Sequence, residues 1–108
     1  MFNLIPIEND IEKVYIICNN VKIGRLNYYH TMNDIIINYI EIFDEYKRHG
    51  FATKFISYLQ DIHHGKTLHG DALPSAIKFW ESLNVEFYEP FPSKLRPDVL
   101  LTPFKLKL

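Results

Sequence analysis

Three basic residues followed by a run of small steps, Lys47-Arg48-His49-Gly50-Phe51-Ala52-Thr53, are the residues best placed to do chemistry in this sequence. They stand immediately before an amphipathic stretch. A helix N-terminus there would expose unpaired backbone N–H groups and a partial positive charge. Gly50 and Ala52 leave the approach uncluttered, and Lys47, Arg48 and His49 add charge beside it. The combination suits a pyrophosphate. The same residues also fit a plain turn beside a solvated basic patch, and the segment alone does not decide between the two.

The elements that must hold this segment follow from periodicity. Val14-Tyr15-Ile16-Ile17-Cys18 is β-branched and aromatic, Asn19-Asn20 tolerates positive φ, and Val21-Lys22-Ile23-Gly24-Arg25-Leu26 resumes, which predicts a hairpin with a two-residue loop. The second strand continues toward His30. A turn at Met32-Asn33-Asp34 precedes Ile35 to Phe43, whose nearly continuous apolar character predicts a strand covered on both faces. After Asp44-Glu45 the period changes. Phe51, Phe55, Tyr58, Leu59 and Ile62 fall on one helical face, Gly65 closes that helix, and a short strand spans Lys66 to His69. Ala76, Phe79, Trp80 and Leu83 repeat the helical stripe, with Pro74 suited to its first turn. Val85 to Tyr88 reads as a strand, and Pro90, Pro92, Pro97 and Pro103 are expected to break the tail into short extended pieces.

The whole is one domain over residues 1–108, since 108 residues leave no room for a second. Eight Phe and seven Tyr supply the large side chains of its core. A formal charge of −1 gives no global basic field, so any anion site must be local and nucleic acid is not an expected partner. Cys18 is the only cysteine, which excludes an intramolecular disulfide framework and fits a cytoplasmic setting. No apolar run approaches the ~20 residues of a membrane helix, and no basic leader opens the chain.

The arrangement resembles the GNAT superfamily of acetyl-CoA-dependent N-acetyltransferases, which carry Gln/Arg-x-x-Gly-x-Gly/Ala between their fourth strand and the next helix. Lys47-Arg48-His49-Gly50-Phe51-Ala52 matches at both small positions and departs at the first. Ala76 to Val85 is similar to that family's Ala-x-x-aromatic-aromatic-x-x-Leu-Gly-Phe helix ending, in the right order and at the right separation. The similarity runs from about Val14 to Phe87. It implies an α/β (α+β) fold: a mixed, mainly antiparallel twisted sheet with two main helices, splayed between its fourth and fifth strands. The usual helix pair between the first two strands has no room, since only Glu8 to Lys13 separates the candidate strands.

The resemblance further implies acetyl-CoA as cofactor. Its pyrophosphate would be held by Lys47, Arg48, His49, Gly50, Phe51, Ala52 and Thr53, and its pantetheine arm by main-chain atoms of Ile42 and Phe43. An amide near Ile42 would serve as oxyanion donor, and Trp80 would be core or a wall of the cleft. The implied reaction is direct attack by a primary amine, of a protein or a small molecule, on the thioester. The alternative is a non-catalytic module that keeps the fold and binds acyl-CoA or a protein. The chain would act as a monomer or homodimer.

A base and an acid are sought in the same region. Glu41 is the only carboxylate on the central strand, and His69 follows the next one; both are candidates, with Asp71 close by. Strict alternation would put Glu41 on the face opposite Asn38 unless a bulge intervenes. Many members place Tyr where Trp80 stands, and an indole N–H is no proton donor for that role; Tyr39, Tyr88 or water would substitute. Gly65-Lys66-Thr67 is no phosphate loop, because the first glycine of that motif would fall at Gln60 within a helix. His63, His64 and His69 lack further ligands at metal spacing, so no metal is expected.

Overall fold

A computed structural model describes residues 1–108. Four strands, β1 (Phe2–Ile7), β2 (Asp10–Cys18), β3 (Val21–His30) and β4 (Asp34–Ile42), form an antiparallel meander. Helix α1 (Phe51–Ile62) crosses to β5 (Thr67–Ala72), which lies parallel to β4, and α2 (Ile77–Ser82) follows. Two short strands, β6 (Glu86–Phe87) and β7 (Phe91–Pro92), pair with the long final strand β8 (Leu100–Lys107). The order across the sheet is β1-β2-β3-β4-β5-β8-β6, with β7 also on β8. This is the mixed, mainly antiparallel sheet with two helices that the sequence implied.

The hairpins turn on residues that accept positive φ. Asn19 and Asn20 stand at 51° and 70°, and Glu8 and Asn9 at 52° and 64°. The stretch from Glu8 to Lys13 therefore shrinks to the two-residue turn Glu8-Asn9, because β2 begins at Asp10. No helix stands between the first two strands.

Both helices pack on one face. Phe55, Ile56 and Leu59 of α1 and Trp80 of α2 join a single cluster with Val14, Leu26, Ile35, Ile37, Leu68 and Phe104. Full burial of each such side chain contributes about 1.5–3 kcal/mol. The α1 stripe is rotated from its expected position: Ile56 is buried, whereas Ile62 is 49% exposed. On the opposite face no helix covers the rows Tyr15, Arg25, Glu41 and Tyr29, Ile36, His69, Lys105, Glu86, which sit side by side across the strands.

Two expectations change. The central strand is not covered on both faces. Asn27 faces Tyr39 and Tyr28 faces Ile37, so Asn38 is an extra residue, a β-bulge. The bulge shifts the phase, so that Ile35 and Ile37 before it and Ile40 and Ile42 after it all pack toward the core; an alternating strand thus reads as continuous. The tail is short and broken only as far as Val99, with the two-residue β7 ending at Pro92; β8 then runs unbroken through Pro103. The Pro103 carbonyl accepts from the Tyr88 amide at 2.8 Å. In a strand the N–H and C=O of one residue point the same way, so the missing donor faces the short β6 side and costs β5 no bond.

Candidate active site

The pairing of β4 with β5 is brief: Asp34 with Thr67, Ile35 with Leu68, and Ile36 with His69. Beyond those three pairs the strands part. Phe43 N–H donates to the Ile23 carbonyl at 2.8 Å, while Gly24 faces Ile42. By antiparallel alternation the amides of Ile42 and Ile40 then point away from β3, into the gap. Gly24 permits the close approach of these strands, because a Cβ there would lie 2.1 Å from the Glu41 carbonyl oxygen.

At the upper end of the gap the chain leaves β4 through a single 3-10 turn, Asp44–Tyr46, and enters α1 with Gly50 as N-cap at φ 76°. Arg48 also has positive φ, 66°. The first amide after the cap to find a partner is that of Lys54, bonded to the Gly50 carbonyl at 3.0 Å. The amides of Arg48, His49, Gly50, Phe51, Ala52 and Thr53 donate to no protein acceptor. Six consecutive free donors thus stand beside a helix N-terminus, where the backbone chemistry suits an anion. A Cβ added at Gly50 would meet nothing within 4 Å, so its space is open and its backbone conformation is what asks for glycine.

These groups border a cavity of about 640 Å³ between the split strands and both helices. Ile42, Lys47, Arg48, Gly50, Phe51, Ala52, Thr53, Glu41 and Trp80 of the sequence candidates line it. Phe43 and His49 do not. The Phe43 amide is spent on β3, and the His49 ring lies 6.2 Å from that of Phe51. Lys47 Nζ pairs with Asp44 at 3.0 Å, which leaves Arg48 as the lining cation without a carboxylate partner. Trp80 is both wall and core: it is 3% exposed and stacks on Phe104 with ring centres 4.2 Å apart.

The two proposed titrating groups fare differently. Glu41 reaches the cavity, and its Oε1 accepts from Arg25 Nη2 at 2.7 Å and Nε at 3.1 Å. The Arg25 hydrogen bond holds the Glu41 carboxyl below the usual carboxylate range, against a smaller desolvation effect. His69 sits in the zipped part of the strands, with Nε2 2.8 Å from Asp34 Oδ1, and does not line the cavity. Sequence reasoning missed Tyr46, Leu73, Ser75, Ala76 and Phe79 as lining residues. Ala76 and Phe79 share the helical stripe of Trp80, a spacing that reads as core, whereas Tyr46 comes from one 3-10 turn and Leu73 and Ser75 from another, and no local spacing links those turns.

No family model matches the chain, and no curated protein matches its sequence. Solved structures do match by fold. A GNAT-family protein of Desulfovibrio desulfuricans superposes with a TM-score of 0.66 at 11% identity, over 88% of this chain and 67% of that one. The chain has the GNAT fold. YncA of Salmonella typhimurium, solved with its cofactor acetyl-CoA, gives 0.65 at 17% identity over 89% and 64% of the two chains. The ribosomal-protein-S18-alanine N-acetyltransferase of Escherichia coli gives 0.63 at 15% over 90% and 68%. This GNAT-fold chain thus spans about two thirds of the length of these neighbours.

Proposed function

We propose that the protein transfers an acetyl group from acetyl-CoA to a primary amine in a ternary complex. The observation that carries the reading is the row of six unpartnered amides, Arg48 to Thr53, five of whose residues line a cavity at the split in the sheet. A diphosphate fits such a cradle by charge and by donor geometry, and Arg48 adds a cation. Acetyl-CoA would supply a thioester activated for acyl transfer. The Ile40 and Ile42 amides, aimed into the gap, would hold the pantetheine arm and polarise the acyl carbonyl.

In the transfer the amine nitrogen bonds to the acyl carbon, the carbon–sulfur bond breaks, and the sulfur leaves as thiolate while the amine proton passes to water. A thiol of pKa about 8.5 leaves readily near neutral pH, so no dedicated acid is required. Glu41, held ionised by Arg25, is a poor acceptor for that proton.

The test is a melting shift with acetyl-CoA, which at a hundredfold excess over Kd adds about 2.7 kcal/mol to the native state. Absence of any shift at millimolar acetyl-CoA contradicts the reading. The weakened Glu41 and displaced His69 also favour a second reading, a binding module without turnover. Thiol release with candidate amines separates the two; binding without release, across peptides and polyamines, selects the module.

A further inference from the structure

We infer that Asp71 selects acceptors bearing a second positive charge, an inference that rests on the acetyl-transfer reading. A smaller cavity of about 210 Å³ continues from the large one through the gap. The two share Tyr39, Ile40, Leu73, Ala76 and Trp80 as walls. Core-facing Ala72 and Phe104 line the smaller cavity together with Asp71, which by strand alternation faces the side without helices. The passage therefore crosses the sheet, with basic groups at the α1 end and a carboxylate at the other.

Asp71 is the only carboxylate lining the smaller cavity. The other carboxylates of that sheet face are engaged: Asp34 with His69 at 2.8 Å, Glu41 with Arg25 at 2.7 Å, and Glu86 with Lys105 at 3.5 Å. Asp71 has neither a cation within 4.0 Å nor a side-chain hydrogen bond. An unpaired anion at the mouth of a mostly apolar cavity attracts cations and holds them at the rim. The amine that attacks must be neutral, so a carboxylate is better matched to a charge that stays protonated while a neighbouring amine enters. Asp71 is accordingly a specificity-determining residue, and its ligand class is the dicationic or polycationic amine. Spermidine and a lysine-rich peptide share that chemistry as a small molecule and a chain segment.

The experiment measures kcat and KM for spermidine, a lysine-rich peptide and n-butylamine, with acetyl-CoA saturating, in the wild type and in Asp71→Asn. The expected result is a lower KM for one of the two polycations than for butylamine, by roughly tenfold or more, as a charge-assisted contact provides. That preference should weaken with added salt and collapse toward unity in Asp71→Asn. Whichever polycation shows it identifies the source. Equal KM values across the wild-type panel, an unchanged preference in Asp71→Asn, or no thiol release with any amine each overturns the inference. The acetyl-CoA melting shift of both proteins separates the failures, since its loss in the wild type strikes the underlying reading and its persistence confines the failure to Asp71.

Discussion

The lower and upper halves of the β4–β5 boundary are built from the same two strands and behave as opposites. Over Asp34 to Ile36 the strands are paired, and Leu68 beneath them is fully buried against α1. Over Ile37 to Ile42 they share no pair. In that half each strand follows its other neighbour: β5 stays with β8 from Gly70 to Ala72, and β4 stays with β3. The bulge at Asn38 marks the divide, since an extra residue increases local twist and bends the strand away. A cleft in a continuous sheet is thus obtained from one inserted residue and two competing partners.

The contrast can be broken most severely from the paired half. Leu68→Ala should cost about 2–5 kcal/mol of stability, read by chemical denaturation, while the remaining native protein keeps its acetyl-CoA shift. Loss of the shift without loss of stability would show that the halves are not separable. Gly50→Glu acts on the upper half, where it also strains the backbone at φ 76°. Its carboxylate crowds and repels a diphosphate, and the shift of about 2.7 kcal/mol at a hundredfold excess should vanish with the far-UV spectrum retained.

Gly70 sharpens the divide. A Cβ there would lie 2.6 Å from the Phe104 ring, which Trp80 stacks upon, so Gly70→Ala should cost about 1–3 kcal/mol and weaken cofactor binding together with the fold. The smallest effect concerns Arg25. Glu41 titrates below its ordinary range in the folded protein, so its pairing stabilises above that range and the contribution is lost as pH falls through the folded value. Arg25→Gln should return the Glu41 carboxyl titration upward, as followed by NMR, and remove that share of the acid-side loss.

Much of the fold around the boundary was legible in the sequence. Asn19-Asn20 marked a hairpin, and the 3.6-residue stripe marked α1, because both signals are local. Gly50 marked the turn into α1 for the same reason. The bulge was not legible: eight residues with one phase slip look like a run without alternation, and only the register against β3 distinguishes them. Pro103 misled because the rule against proline in strands depends on which side its absent N–H faces. Asp71 and His69 are two residues apart on one strand, yet only Asp71 reaches the passage, since the pairing with β4 ends between them.

Trp80 belongs at once to the interior and to the walls of both cavities. Changes on the α2 side of the passage therefore propagate into folding, whereas Tyr39, 45% exposed on the opposite wall, lies outside the core cluster. Diversification of this scaffold toward new acceptors should accordingly run along β4, with the indole kept as a fixed reference surface.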